Sequence, residues 1–213
     1  MAAATEPIIP VAGSQIVMED VSWDAYETLR QETEGCGVRI SYDGGRMVLR
    51  SPLPRHEWAK RRIGRLLEMA TLEWGLPISS FGSTTWKRRD LLKGLEPDEC
   101  YYIQHEPDIR GRCDLDLSRD PPPDLAIEID VTSVSIDRQK IYAALGINEL
   151  WRYDGRQMQF LKLGSDGRYH RIDRSDALPR LAPADIEQFL SMFGKLDENS
   201  VLREFRDWLR GAR

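Results

Sequence analysis

A stretch in the middle of the chain, residues 123–131, alternates between apolar and polar positions. Successive side chains of a strand point to opposite faces, so this alternation predicts a strand with one face in the core. The apolar face would carry Leu125, Ile127, Ile129 and Val131, and the other face would carry Asp124, Ala126, Glu128 and Asp130. Carboxylates in such a strand cost free energy unless they are paired or bind a cation. Two interpretations follow: a metal site, or an edge strand with one face in water.

The pattern on either side of this strand predicts its neighbours. Residues 132–135 form a mostly polar turn that leads into a helical segment, which Gly146 ends. Upstream, an Asp-Gly-Gly turn at residues 43–45 separates two short apolar runs, which is typical of a β-hairpin and would open the sheet. From Pro54 to Gly75 apolar residues recur at helical spacing, so the longest helix is expected there.

The rest of the chain completes a mixed pattern. Residues 149–172 predict a meander of strands, and apolar positions within residues 186–209 predict two amphipathic helices. The expected fold class is α/β (α+β), a mixed β-sheet flanked by helices. We expect three segments: an N-terminal extension over residues 1–21, a folded domain over residues 22–175 and a C-terminal helical extension over residues 176–213.

Composition narrows the class of protein. The 213 residues, 41% of them hydrophobic and including six Trp, suffice for a core and argue against disorder. No apolar run approaches the roughly 20 residues that span a bilayer, and no secretion-signal pattern is visible, so we expect a soluble, cytoplasmic protein without a membrane partner. Three Cys without CxxC spacing disfavour a disulfide framework and a zinc site.

The charge balance leaves any binding of nucleic acid to local patches. A net charge of −5 gives no overall attraction to DNA. One basic patch surrounds the start of the long helix and comprises Arg50, Arg55, Lys60, Arg61, Arg62 and Arg65, with His56 and Glu57 beside it. A second basic cluster lies at residues 87–89. Each is either a phosphate-binding surface or an ordinary solvated face, and the sequence leaves both readings open.

Spacing along the chain indicates which acids can share one metal ion. Three Pro-Asp pairs make Asp98, Asp108 and Asp124 candidates, and Asp108 lies in a turn-like Gly/Arg/Asp loop. Asp124 is four residues before Glu128 on one strand, so about 13 Å separates their Cα atoms, and the two cannot easily bind one ion. Asp98 lies on the strand predicted over residues 97–103. If that strand pairs with the central one, cross-strand neighbours have Cβ atoms about 5 Å apart, which suits two carboxylates on one Mg²⁺. Asp98 with Glu128 is therefore the favoured pair, and Asp130 is a third acid on the same face.

Lys140 adds a cation to these acids. It lies near the start of the helix that follows the central strand, where its ammonium could reach back across the strand end. Phosphodiester hydrolysis needs charge neutralised on the phosphate and an activated water, and a divalent metal with a lysine supplies both. The plain alternative is a surface lysine on a helix.

The order of these motifs resembles a known family. The resemblance rests on Pro97-Asp98, on residues 123–133, and on Asp137, Lys140, Tyr142, Gly146 and residues 149–154. Together they are similar to the Uma-two family of restriction-endonuclease-like proteins, in the PD-(D/E)XK nuclease superfamily. The similarity extends upstream to His56 and covers roughly residues 20–175, which leaves the C-terminal helices outside it.

The resemblance implies a restriction-endonuclease-like core in which Asp98, Glu128 and the main-chain carbonyl of Ile129 bind the metal. The superfamily has a lysine two residues after the glutamate, where this chain has Asp130. The resemblance assigns that role to a lysine on the following helix, which Lys140 matches. With Asp130 added as an assisting acid from the same strand face, the expected catalytic set is Asp98, Glu128, Asp130 and Lys140, with Mg²⁺ or Mn²⁺ as cofactor and DNA as partner.

Three functional hypotheses fit these residues. The first is a metal-dependent endonuclease of DNA. The second is a nuclease-fold protein that binds nucleic acid or a protein partner without cleaving, favoured by Asp130 in the lysine position and by the negative net charge. The third is a hydrolase of another phosphoester.

A cut through both strands of a duplex needs two sites related by a two-fold axis, so we expect a homodimer. The meander and the C-terminal helices offer apolar residues beyond the core, and Trp151, Phe205 and Trp208 are the candidates for the interface. Aromatic residues at such spacing also serve as core residues.

Overall fold

The computed structural model describes residues 13–130 and 136–211, which form two sheets and six helices. The strands are β1 (Gln15–Met18), β2 (Arg39–Asp43), β3 (Arg46–Arg50), β4 (Ser79–Ser80), β5 (Trp86–Arg88), β6 (Lys93–Leu95), β7 (Glu99–Tyr102), β8 (Leu125–Ile129), β9 (Glu149–Tyr153), β10 (Met158–Leu163) and β11 (Tyr169–Ile172). The helices are α1 (Trp23–Glu32), α2 (Pro54–Trp74), α3 (Glu106–Ile109), α4 (Arg138–Ala144), α5 (Pro183–Leu190) and α6 (Glu198–Gly211). The predicted turn at residues 132–135 and the strand position Val131 lie outside the described residues.

The first sheet has the strand order β1-β3-β2-β6-β5, with antiparallel pairs throughout. Its strands β2 and β3 are the predicted hairpin. The two linking residues, Gly44 and Gly45, have φ angles of 56° and 107°, which glycine adopts without a steric penalty. The expectation that this hairpin opens the main sheet was wrong, because β2 pairs with β6 and the hairpin belongs to the five-stranded sheet, separate from the one that carries the central strand.

The second sheet has the order β11-β10-β9-β8-β7-β4 and carries the central strand. β8 and β9 are parallel and the other pairs are antiparallel, so this sheet is mixed, as predicted. All five residues of β8 are buried between β7 and β9. The interpretation of an edge strand with one face in water is therefore wrong.

Two apolar clusters cover the faces of the second sheet. The cluster on one face, here called the α2-side core, includes Ile63 and Leu67 of α2, Leu125, Ile127 and Ile129 of β8, Phe189 of α5 and Phe205 of α6. The α4-side core includes Cys100 and Tyr102 of β7, Ala126 of β8, and Ile141 and Tyr142 of α4. The alternation along β8 thus separates the two clusters, and α5 and α6 share a core with the central strand.

The aromatic residues proposed for a dimer interface lie in the α2-side core. Trp151 and Phe205 are fully buried, and Trp151 stacks on Phe160 with 4.1 Å between ring centroids. Trp208 is partly buried and packs against the same cluster, stacked on Phe205. The assignment of Trp151 and Phe205 to an exposed interface is therefore wrong, whereas the half-buried Trp208 stays a candidate. In the described residues, no helix is both long and apolar enough to cross a bilayer.

Candidate active site

The structure brings Asp98 and Glu128 together across the ladder between β7 and β8. The antiparallel register pairs Glu99 with Ile127, so the preceding residue, Asp98, stands opposite Glu128. The N–H of Asp98 donates to the carbonyl of Ile127 at 3.2 Å. Both acids are buried, with exposed fractions of 1% and 5%. They lie on the face of the α4-side core, because side chains alternate along each strand.

The carboxylate of Asp98 is held by two donors. Oδ1 accepts a hydrogen bond from the guanidinium of Arg50 at 3.2 Å, and Oδ2 accepts one from the main-chain N–H of Ile129 at 2.8 Å. Arg50 ends β3 of the first sheet and is itself mostly buried. The residue whose carbonyl is the implied third metal donor, Ile129, therefore fixes Asp98 through its N–H.

The carboxylate of Glu128 is held by Arg138, the first residue of α4. The Nε of Arg138 donates to Oε2 at 3.1 Å, and a second guanidinium nitrogen donates to Oε1, which also accepts from the Tyr142 hydroxyl. Arg138 further donates to the Glu96 carbonyl at 2.7 Å and to the Ser41 hydroxyl. One buried guanidinium thus links α4, the central strand and the first sheet.

Burial and charge fix the protonation of Tyr142 and Arg138. Burial raises the pKa of Tyr142, and the Glu128 carboxylate raises it further, so the hydroxyl keeps its proton and donates. Burial alone would lower the pKa of Arg138, but Glu128 and Tyr142 outweigh that effect and the pKa rises above its ordinary value. Arg138 and Glu128 therefore form a buried ion pair that carries its own charge compensation.

Asp130 lies in the same small cavity as Glu128. This cavity has a volume of about 150 Å³, and its lining includes Glu128, Asp130, Arg138, Tyr142 and Arg152. The Asp130 carboxylate is mostly buried and accepts from Nε of Arg152 at 2.9 Å. Asp130 is thus close to Glu128, and its charge is balanced by Arg152.

The structure places Lys140 away from the acids. Its side chain is 75% exposed, and its Nζ lies 3.3 Å from the Asp137 carboxylate. It lines a different cavity, together with residues 167–169. The cation that contacts Glu128 is Arg138, two residues earlier, and the sequence analysis missed it.

Helical spacing could have identified Arg138. Residues four apart lie on the same face of a helix, whereas residues two apart point in nearly opposite directions. Tyr142 faces the core, so Arg138 at four residues before it shares that face and Lys140 at two residues before it does not.

The other two Pro-Asp acids lie apart from the pair of Asp98 and Glu128. Asp124 accepts from the main-chain N–H groups of Ile103 at 2.7 Å and His105 at 3.0 Å, and also contacts the His105 ring. Asp108 lies in the single-turn helix α3 and not in an irregular turn. Neither residue contributes to the pair of acids.

Most cations of the predicted basic patches are engaged with acids of the same chain. At the long helix, Arg50 contacts Asp98, Lys60 contacts Glu57 and Glu99, and both Arg62 and Arg65 contact Glu198. In the second cluster, which lies partly in β5, Lys87, Arg88 and Arg89 contact Glu27, Asp90 and Asp24. These patches therefore present much less free positive charge than the sequence suggests.

The donor chemistry of the acid pair fits a hard divalent cation. A carboxylate offers about four acceptor positions, of which donors among the described residues use two on Asp98 and three on Glu128. The described residues therefore leave oxygen positions unused, and oxygen is the donor that Mg²⁺ and Mn²⁺ prefer. Within the described residues, no group of three or more His, Cys, Asp or Glu side chains is arranged to hold a metal. An ion would have to share Glu128 with Arg138, whose positive charge opposes it.

Comparison with known proteins gives one family. Residues 23–192 match the model of the Uma2 (Uma-two) family, described as "Putative restriction endonuclease". A search of curated proteins finds no match. The matched range includes Asp98, Glu128 and Arg138 and continues into α5, beyond the range of the sequence resemblance. The mixed sheet flanked by helices agrees with the restriction-endonuclease-like fold, and the chain belongs to the Uma2 family of restriction-endonuclease-like proteins.

Proposed function

We propose that the chain is a Mg²⁺- or Mn²⁺-dependent endonuclease that hydrolyses phosphodiester bonds of DNA. The observation that supports this most is the facing pair Asp98 and Glu128 at the end of the central strand, whose oxygens the described donors do not fully use. The description of the Uma2 family as restriction endonucleases supports a nuclease-like function, without naming the substrate or the metal.

In this proposal Asp98, Glu128 and the main-chain carbonyl of Ile129 hold the metal. When bound, the metal neutralises charge on the phosphate and lowers the pKa of a water. Arg50 orients Asp98 and Arg138 orients Glu128, because each guanidinium donates to its carboxylate.

Besides the metal, the proposal needs a cation that stabilises the charge developing on the phosphate. Arg138 is better placed for this role than Lys140. Arg138 already contacts Glu128, whereas Lys140 would have to leave Asp137 and cross to the other face of α4. Asp130 lines the same cavity as Glu128 and forms an ion pair with Arg152. It therefore assists by positioning the Arg152 guanidinium beside the metal site. Lys140 stays in the proposed set as a contact to the DNA backbone from the exposed side of α4.

A second candidate function is a nuclease-fold protein that binds nucleic acid or a protein partner without cleaving. It is favoured by the ion pair of Glu128 with Arg138, since the guanidinium and the Tyr142 hydroxyl already satisfy most of the carboxylate. A buried guanidinium can balance a buried carboxylate in place of a metal.

A cleavage assay separates the two. Plasmid and linear DNA are incubated with Mn²⁺ and with wild type, Glu128→Gln or Asp98→Asn. Glu106→Gln is the matched control, because Glu106 is equally buried and bonded to Arg110 outside the site. We expect wild type and the control to cleave, and both site variants to lose roughly a hundredfold or more in rate.

Two outcomes would reject the endonuclease. One is the absence of cleavage by wild type, and the other is equal cleavage by Glu128→Gln, which would indicate a contaminating nuclease. Binding without hydrolysis, with an affinity that falls steeply as salt rises, would support the second function.

A further inference from the structure

A second cavity opens on the α2 side of the sheet near the acid pair. It has a volume of about 420 Å³ and is lined by Arg55, Trp58 and Ala59 of α2 and by Tyr153, Asp154, Gly155 and Arg156 at the turn between β9 and β10. We call it the Trp58 pocket. It contains none of the proposed catalytic residues, so the endonuclease proposal leaves it unexplained.

The Trp58 pocket and the acid pair lie on opposite faces of the second sheet, at the same end of β8 and β9. In the parallel ladder Glu128 pairs with Arg152, and Ile129 pairs with Tyr153. Because consecutive residues face opposite sides, Glu128 and Arg152 line the small cavity while Tyr153 lines the Trp58 pocket. The main-chain N–H of Asp130 donates to the Tyr153 carbonyl at 2.7 Å, which joins the two walls.

Trp58 gives this pocket an aromatic surface that is held in place. Its side chain is 40% exposed, which is unusual for so large an apolar residue. The Arg62 guanidinium lies 4.1 Å from its ring centroid, and Phe193 packs edge-on at 6.3 Å. A side chain fixed in this way loses little conformational freedom on binding, and an exposed aromatic ring is the surface on which nucleobases stack.

The rim of the pocket carries positive charge. The Arg156 guanidinium is exposed and forms no ion pair with the described side chains. The neighbouring acid, Asp154, also lines the pocket and is exposed, but its Oδ1 already accepts the N–H groups of Arg156 and Gln157 at 2.8 and 2.7 Å. The first turn of α2, with Arg55, adds the positive end of a long helix. A phosphate is the group that complements this rim.

We propose that the Trp58 pocket binds one unpaired nucleotide of the substrate strand, with its base against Trp58 and a phosphate at Arg156. The inference rests on the proposed nuclease function and deepens it, because it names single-stranded or locally unpaired DNA as the substrate class. A nucleotide in an intact duplex cannot use the pocket, since both faces of its base are covered by its stacked neighbours.

The test is a binding measurement in EDTA, so that its outcome does not depend on cleavage. A fluorescent single-stranded oligothymidine of about 12 nucleotides is titrated with the full chain and followed by anisotropy. We expect Trp58→Ala to weaken binding about tenfold, the loss of one stacked base. Leu72→Ala is the control, because Leu72 is 72% exposed on the same helix and lies outside the pocket.

Two further measurements sharpen the test. Trp58→Phe keeps an aromatic face and should retain most of the affinity, which separates stacking from misfolding. Arg156→Ala should lower the slope of log affinity against log salt by about one relative to wild type. A duplex of the same length should bind more weakly than the single strand and should not respond to Trp58→Ala.

The inference is overturned if Trp58→Ala binds the single strand as wild type does, or if duplex and single strand lose affinity equally. Cleavage of single-stranded DNA at the same rate by wild type and by Trp58→Ala would leave the endonuclease intact and reject the pocket. Binding that depends on Trp58 in a chain that cleaves no DNA would support the pocket and reject the endonuclease.

Discussion

At the scale of single residues, the geometry of the site depends most on Arg138. Arg138→Met would leave the Glu128 carboxylate buried without its cation, so we expect a loss of about 3–5 kcal/mol in the free energy of unfolding. Urea unfolding at neutral pH measures it. The double variant Glu128→Gln/Arg138→Met should recover much of the loss, because it removes the unpaired charge. A loss below about 1 kcal/mol in the single variant would contradict the described ion pair.

His56 makes a pH-dependent contribution near the same acids. It is buried in the first turn of α2, where its Nδ1 accepts the Leu53 N–H at 2.7 Å. Burial lowers the pKa of His56, Arg50 lowers it further, and Asp98 opposes the shift. Protonation therefore favours the unfolded chain, so the stability contributed is present above the unfolded pKa of about 6.5 and is lost as pH falls below it.

His56→Gln isolates this effect, because glutamine retains an acceptor for the Leu53 N–H but does not titrate. Urea unfolding from pH 7.5 to about 5 should show that wild type loses stability on acidification more steeply than the variant. Parallel curves for the two proteins would show that the pKa of His56 is not lowered by folding.

At the scale of helices and strands, α6 illustrates which contacts hold an element. Its residue Glu198 contacts Arg62 and Arg65 of α2 at 2.6 Å each, while Phe205 is fully buried in the α2-side core. We expect Phe205→Ala to cost about 3–5 kcal/mol and Glu198→Ala less than about 1 kcal/mol, since the ion pairs are partly exposed. Chemical denaturation compares them, and the reverse ranking would refute this account.

This packing bears on where the folded unit ends. The sequence prediction treats residues 176–213 as an extension, but α5 and α6 contribute a large share of the α2-side core. We propose that both helices belong to the folded domain. Deleting residues 176–213 should then yield an unfolded chain, as measured by circular dichroism, and a cooperative unfolding transition in the truncated chain would contradict this.

The elements that the sequence predicted well are those with local signals. The central strand, the Gly44-Gly45 hairpin and the long helix from Pro54 each follow from periodicity and turn residues. The facing of Asp98 and Glu128 followed from strand spacing. The separation into two sheets did not, because it depends on β2 pairing with β6 far along the chain, which no local pattern encodes.

The site cation shows a second limit. A position near the start of the helix and the lysine of the family pattern both favour Lys140, yet the face of α4 that meets Glu128 is set by the burial of Tyr142. The prediction of Trp151 and Phe205 as surface residues has a different cause. Apolar periodicity shows that a face is covered, but it does not show whether the same chain or a partner covers it.

At the scale of the whole molecule, the assembly remains a proposal. Cutting both strands of a duplex favours a homodimer with a two-fold axis, and the residues that would form its interface are other than Trp151 and Phe205, which are buried within the chain. Light scattering behind a sizing column should give about twice 24.5 kDa at micromolar concentration. A mass of one chain would reject the dimer and leave a nuclease that nicks single strands.

The most direct test of the proposed metal site is a crystal structure of the wild-type protein soaked with Mn²⁺ and measured with anomalous scattering. The account predicts a peak within coordination distance, about 2–2.5 Å, of oxygens from both Asp98 and Glu128, with the Ile129 carbonyl as a further ligand. A structure at saturating Mn²⁺ with no peak there, and with Arg138 still bonded to Glu128, would contradict it.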